Sequence, residues 1–279
     1  MQNPQKLKLI LGDQLNIQHS WFSKNNPESV YVMMEVKEET TYVKHHIQKI
    51  VAFFLAMRQF AQELVKRGHE VIYYKFDDPE NFGSFEENLT QIINNKNIFM
   101  FEYQQPDEYR VQKNIEKWLS TVKIEYKKYE TEHFLITPQE FSSIFKGKNY
   151  LMENFYRKMR KKHHILMNGE EPIGGQWNFD KENRNKFDAK TPIPKVGKYD
   201  HPEIFEIINS IKNSKIETIG EIDATNFIWP TNRTEALELI NEFIEVKLPF
   251  FGKYQDSLYD KHEFMFHSRI SFAMNVKLI

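Results

Sequence analysis

Five short runs of strand-forming residues, separated by amphipathic helical patterns, fill the first 130 residues, and this alternation constrains the fold more than any other feature. Leu7–Leu11 (LKLIL) reads as a buried strand, followed by Val30–Val36 (VYVMMEV), Val71–Phe76 (VIYYKF), Ile98–Tyr103 (IFMFEY) and Lys123–Tyr129. Between the second and third, Tyr42–Arg67 carries apolar residues at Ile47, Ile50, Val51, Phe54, Met57, Ala61 and Leu64, a stripe at helical spacing. Lys66 and Arg67 suit the last turn of that helix and Gly68 its stop. Ser84–Asn95 opens with a capping box between Ser84 and Glu87, and Glu108–Ser120 is a third helical pattern. Strand–helix–strand repetition predicts an α/β fold, a doubly wound and mainly parallel five-stranded sheet covered by helices on both faces, over residues 1–132.

The pattern changes after residue 130. Thr137, Pro138 and Glu140 form a helix start with proline at its first position. Helices are expected at about 138–146, 149–164, 203–213 and 234–247, and no further strand is evident. Asn168–Arg184 (NGEEPIGGQWNFDKENR) is irregular: Gly174 and Gly175 weaken a helix and Pro172 bars a central strand. Long loops of this kind are functional or disordered, and Trp177, a residue type that prefers burial, together with Phe179 argues against disorder. Residues 133–230 therefore read as a helical and irregular connector, and 231–279 as the incomplete start of a helical domain. The last run, FMFHSRISFAMNVKLI, ends apolar. Either a short helix from near Ser271 packs on the preceding ones, or a larger helical domain has been cut or lost at Ile279.

Composition narrows the function classes. With 40% hydrophobic residues, 23 Phe and 13 Tyr, the chain has material for a core. Lys and Arg (38) nearly balance Asp and Glu (39), so only local patches can speak for a nucleic-acid partner. No run of about 20 apolar residues exists for a membrane span, and the N-terminus lacks the plan of a signal peptide. No cysteine is present, which removes disulfides, a thiol nucleophile and cysteine-held metal sites from these residues. A cytoplasmic location is the plain expectation.

In a doubly wound sheet, ligands bind beyond the carboxyl ends of the strands. The first such end carries Gly12, Asp13 and Gln14, where glycine admits close approach and the polar pair can read a heterocycle edge; a turn without a ligand is the alternative. The glycine-rich nucleotide fingerprints are absent. The second end carries Glu35, Glu38, Glu39, Tyr42, His45 and His46. Acids near a helix start are favourable in themselves, but this convergence also suits a polar aromatic ligand. A metal is the weaker reading, since adjacent histidines point about 100° apart on a helix. Arg157, Lys158, Arg160, Lys161, Lys162, His163 and His164 form a basic run near Tyr150, Phe155, Tyr156 and Trp177, either a solvated face or a phosphate-binding one. His267–Ser271 (HSRIS) is either a serine cap with a surface arginine or an anion cradle.

ILGDQL at 10–15, EVKEETTYVKHHIQKI at 35–50, MENFYRKMRKKHHILMNGEEPIGGQWNFDKENR at 152–184, FGKYQD at 251–256 and HSRIS at 267–271 together resemble the iron–sulfur bacterial cryptochrome/photolyase family. The resemblance is collinear over essentially the whole chain, and the 152–184 block is its most specific part. It implies an antenna domain, a connector and a helical domain holding FAD and a [4Fe–4S] cluster on four cysteines. It implies light-driven repair of ultraviolet lesions in DNA, chiefly (6-4) photoproducts, with an antenna 6,7-dimethyl-8-ribityllumazine passing energy to FAD. A non-enzymatic blue-light receptor and a plain chromophore-binding module are the alternatives. By the same resemblance the lumazine pocket would use Gly12, Asp13, Gln14, Met34, Glu39, Tyr42 and His45. FAD would meet Tyr254, Gln255, Ser268, Arg269 and Ser271, and DNA would meet Arg157, Arg160 and Lys161. The flavin site would be partial, the cluster would lie outside this chain, and no residue here would be catalytic. A second polypeptide could supply the remaining helical half, and the chain alone is expected to be inactive.

Overall fold

The structure is a computed structural model that describes residues 5–145, 147, 150–183, 185–188 and 190–279, the side chain of Glu182 aside. It has two compact units, one of Met1–Glu132, Val196–Ile240 and Arg269–Ile279, the other of His133–Lys195 and Asn241–Ser268.

The first unit is built on β1 (Gln5–Leu9), β2 (Ser29–Met34), β3 (Glu70–Tyr74), β4 (Ile98–Gln104) and β5 (Glu125–Tyr129). All four pairings are parallel, in the order β3-β2-β1-β4-β5. The chain winds outward from β1 in one direction, then returns to β1's other side with β4, which places a topological switch point between β1 and β4. Burial on both faces explains why β2 reads as an unbroken apolar run: all its residues are buried. Alternate side chains feed two cores. Tyr31 and Met33 join Ile10 against α2 (Ile47–Lys66) and α7 (Glu203–Asn213). Leu7, Leu9, Val30, Val32, Phe101 and Tyr103 face α3 (Phe85–Asn95) and α4 (Tyr109–Leu119).

The helix expected over Tyr42–Arg67 starts five residues later than expected. A short α1 (Lys37–Thr41) follows β2, and α2 begins only at Ile47, with His46 as its cap, Nδ1 accepting from the Gln48 N–H at 3.2 Å. His45 and His46 thus precede the helix rather than lie on it. The segment is held from outside by residues 219–220: Ile219 N–H donates to the His45 carbonyl and Ile47 N–H to the Ile219 carbonyl. The His46 ring lies so close to Gly220 (φ +71°) that a Cβ there would fall 1.8 Å from Nε2, so only glycine fits. The first unit is completed by α8 (Arg233–Glu242), to Ile240, and α10 (Ser271–Asn275).

The second unit contains α5 (Pro138–Ile144), with its Thr137–Glu140 capping box formed, and α6 (Met152–His163). The expected ends of these helices at Lys146 and Asn149 lie outside the described residues. Two-residue strands at Met167–Asn168 and Glu171–Pro172 pair antiparallel, a ladder the sequence reading lacked. They flank a tight turn at Gly169, and Pro172 sits where so short a ladder needs little donation. The helix expected at 234–247 changes instead to a π turn at Phe243–Lys247 before α9 (Leu248–Tyr254). Pro249 gives the reason, since it lacks an N–H and its ring crowds the preceding turn.

Glu35, fully buried at the end of β2, is bonded bidentately by Arg58 of α2 at 2.7 and 3.0 Å. It also accepts from Tyr73 Oη (2.7 Å) and Phe76 N–H (2.8 Å). Arg58→Met leaves a buried carboxylate without its counter-charge and should cost about 3–5 kcal/mol. Chemical denaturation measures this; a loss under about 1 kcal/mol would refute the role.

Candidate functional site

A cavity of about 170 Å³ opens at the carboxyl ends of β1, β2 and β4, beside the switch point. Its inner wall is apolar: Met34, Val36, Phe53, Phe54, Met57, Phe85 and Val111. Gly12 backs directly onto α2, where a Cβ would meet Met57 Sδ at 2.9 Å and Phe53 at 3.3 Å. The polar lining is Asp13, Glu35, Glu39, Thr40, Tyr42, His45, Lys49 and Glu108.

Most of that charge is already paired. Arg110, on the first turn of α4, grips Glu39 with two nitrogens at 2.9 and 2.8 Å and Glu108 at 2.8 Å. Its guanidinium lies 4.0 Å from the centroid of the Tyr42 ring, which meets His45 edge-on at 4.9 Å. Glu38 turns away to accept from Phe85 N–H at the start of α3 (3.0 Å), and burial pushes its carboxyl up. Burial likewise raises the Asp13 carboxyl, against the pull of Lys277.

His45 is different. It is 7% exposed, and its Nδ1 lies 3.2 Å from Lys49 Nζ. An ammonium can only donate, so Nδ1 accepts and the ring proton sits on Nε2. Nε2 is buried and makes no full hydrogen bond among the described residues. Burial and the Lys49 charge hold the imidazole below its ordinary range, opposed by the nearby Glu39 carbonyl and carboxylate. The site thus contains a neutral histidine whose buried donor is engaged only weakly, by the Glu39 carbonyl.

Of the residues expected to hold a pigment, Gly12, Asp13, Met34, Glu39, Tyr42 and His45 all line this cavity. Gln14 does not. It is 1% exposed, and its amide bonds Leu11 N–H (3.1 Å) and the carbonyls of Gln104 (3.3 Å) and Gln105 (3.5 Å), so it shapes the tip of β1 rather than reading a ligand. Glu35 also lines the cavity, but its oxygens serve Arg58, Tyr73 and Phe76. Arg110 and Lys49 were missed. The rule that ligands sit beyond strand ends pointed to Arg110, six residues past β4, but the sequence reading applied it only to the first two strands.

The residues expected at FAD are placed differently. Tyr254 is buried in an aromatic cluster with Phe187 and Phe266, and Gln255 is exposed beside it. Ser268 is half-buried. Arg269 is buried with φ +58°, its guanidinium donating to the Ile228 carbonyl at 3.0 Å. Ser271 lines a second cavity, of about 700 Å³, with Asp13, His46, Lys49, Phe53, Trp229 and Asn275. In the basic run, Arg157 and Arg160 stack over Trp177 at 5.3 and 5.2 Å, with Lys161 Nζ at 5.9 Å. Trp177 is thereby half-buried, not buried. Arg160 is 7% exposed and donates to the Ile165 and Leu166 carbonyls. Arg157 pairs with Glu153, and Lys161 with Glu170 at 2.9 Å.

The sequence profile described as "Deoxyribodipyrimidine photo-lyase-related protein" matches residues 8–227. The chain belongs to this photolyase-related family. A (6-4) photolyase of Agrobacterium fabrum is 34% identical over 277 residues, 98% of this chain and 54% of the relative. An uncharacterized protein of Acanthamoeba polyphaga mimivirus is 25% identical over 185 residues, 59% of this chain and 87% of that protein. A crystal structure of a bacterial class III photolyase from Agrobacterium tumefaciens superposes with a TM-score of 0.55 at 12% identity, covering 100% of this chain and 52% of that one, a likeness of fold alone. The chain thus spans about half the length of the photolyases it matches. The five-stranded parallel sheet is the α/β fold expected of the family's N-terminal part. No helix among the described residues is long and apolar enough to cross a membrane.

Because the His45 pKa is lowered, the folded chain holds fewer protons than the unfolded chain just below the ordinary histidine range. His45 should titrate below about 6.5 by imidazole NMR, and its contribution to stability should fall as pH drops from 6.5 towards that midpoint. A midpoint at or above 6.5 contradicts the assigned environment.

Proposed function

We propose that this chain carries the antenna-pigment site of a photolyase-related flavoprotein and that its cavity binds 6,7-dimethyl-8-ribityllumazine. The observation that carries this reading is the buried His45 Nε2–H, engaged only weakly by the Glu39 carbonyl, in a mostly apolar cavity. Such a donor costs free energy until something accepts from it, and a ring nitrogen or carbonyl of a heterocycle does so. The apolar wall suits a flat ring: a dry cavity of about 150 Å³ takes benzene. When bound, the lumazine supplies absorption of blue light. The chain's own residues bind and orient it. Tyr42 is held by Arg110, Glu39 is fixed by the same guanidinium, and Gly12 lets the tip of β1 lie close against α2.

For the whole protein we propose light-driven repair of ultraviolet-damaged DNA, with (6-4) photoproducts as substrate on the strength of the Agrobacterium relative's name. This chain contributes pigment binding and, through Arg157 and Lys161, contact with DNA phosphates, while Arg160 braces the Trp177 platform. The division at 132 and 230 into antenna domain, connector and start of a helical domain belongs to the same proposal, as does a cytoplasmic location. A cluster held by cysteines needs ligands from beyond these residues. FAD needs walls beyond those described here, so we assign the isolated chain no repair activity and derive no step through the flavin.

Titrating the purified chain with the lumazine, followed by pigment fluorescence, tests the site. Saturable uptake is expected, and His45→Phe should weaken it about tenfold by removing one buried hydrogen bond. Absence of saturable uptake by the unaltered chain, or equal affinity in the variant, overturns the assignment.

A further inference from the structure

Lys277 is one of the most deeply buried cations of the first unit, 2% exposed, and its ammonium meets partners far away in sequence. Its Nζ is 2.6 Å from Asp107 Oδ2 and 4.0 Å from Asp13 Oδ2, and it donates to the Asp13 backbone carbonyl. The backbone around it is committed to the same place. Leu15 N–H donates to the Val276 carbonyl at 3.0 Å. Lys277 itself takes φ +64°, a left-handed conformation that costs a non-glycine residue energy and persists only where surroundings impose it.

We propose that Lys277 is a positioning residue for the pigment pocket: by tying the Asp13 carbonyl to the Asp107 carboxylate, it fixes the tip of β1 across the cavity. A buried ammonium is costly unless well paired, so a lysine placed here serves the groups it joins more than the core around it. Those groups are the two loops that flank the switch point, one after β1 and one after β4. Asp13 lines the cavity, and Pro106 and Glu108, on either side of Asp107, line it too. The charged groups facing Asp13 are Lys277, Asp107 and Glu39, with His46 and Lys49 beside it in the second cavity. Lys277 is the cation among them that reaches both aspartates. Without it, Asp13 and Asp107 repel, and the loop after β1 loses the anchor that Gln14 does not supply on the Asp13 side.

This inference rests on the pigment reading for its consequence but not for its geometry, and two readouts separate them. In the full chain, Lys277→Met should raise the titration midpoint of the Asp13 carboxyl by about one unit, read by carbon NMR of labelled aspartate. It should also weaken lumazine binding about tenfold. The double variant Asp107→Asn/Lys277→Met removes the pair without stranding a charge and guards against misfolding of the single variant. It should still bind weakly, because Asp13 remains untethered. An unmoved Asp13 midpoint overturns the clamp. Recovery of full pigment affinity in the double variant also overturns it, since Lys277 would then only neutralise Asp107. If the unaltered chain takes up no lumazine, the pigment reading fails, and the Asp13 midpoint alone sustains or refutes the clamp.

Discussion

The bidentate bond between Arg58 and Glu35 is the interaction on which the site depends. Glu35 stands one residue past β2, beneath the cavity, with no exposed side-chain surface. A bare carboxylate there would attract water and loosen the strand end. Instead its oxygens are taken by Arg58 from α2, Tyr73 from β3 and the Phe76 backbone after β3, while Asn81 Nδ2 bonds its carbonyl at 2.9 Å. Arg58 reaches on to Glu206 of α7 at 2.9 Å. One buried charge pair thereby joins two strands, α2 and α7, and the back of the cavity is set before any ligand arrives. Breaking one partner of such a pair is far costlier than never having had it, so the network acts as a constraint on geometry more than as a source of net stability.

The front of the cavity follows a similar economy. Glu39, Glu108 and Arg110 neutralise one another, and the paired guanidinium presses on Tyr42, which in turn packs on His45. A site whose charges are largely paired has less to offer an ion than a neutral, polarisable ring, because much of the remaining lining is apolar. Lys49 sharpens this. By donating to Nδ1 it selects the tautomer that leaves the proton on Nε2, and its charge keeps the ring neutral.

The sheet was legible because a strand buried on both faces must be mainly apolar, and a helix covering it must carry a stripe; Val30–Met34 and the Ile47–Leu64 stripe satisfy both rules. The start of α2 was not. Its cap is a histidine rather than Ser, Thr, Asp or Asn, so no usual capping residue marks Ile47 as the start. The cavity was legible as a location, since strand ends and the switch point are topological facts. The roles of its polar residues were not, because which of Gln14, Glu35, Glu39 and His45 stays unpaired is decided by Gln104, Arg58, Arg110 and Lys49, partners up to 90 residues away. The basic run is less uniform than its sequence: Arg160 looks like its exposed neighbours, yet its position on α6 turns it to the Ile165 and Leu166 carbonyls beneath Trp177.

Strand–helix alternation and the residues at the strand ends place the pocket within 1–132, but the pocket is not held by them alone. The loop bearing His45 is bridged by Ile219 and needs Gly220 to be without a side chain, and the loop bearing Asp13 is held by Val276 and Lys277. These supports come from chain that contributes no strand to the sheet. A parallel sheet leaves its loops at the carboxyl ends, where helices alone do not pin them. Segments returning from later in the chain supply the missing hydrogen bonds. They do so at two points in the cavity lining, His45 and Asp13, so the site is held by the whole first unit rather than by the α/β core alone.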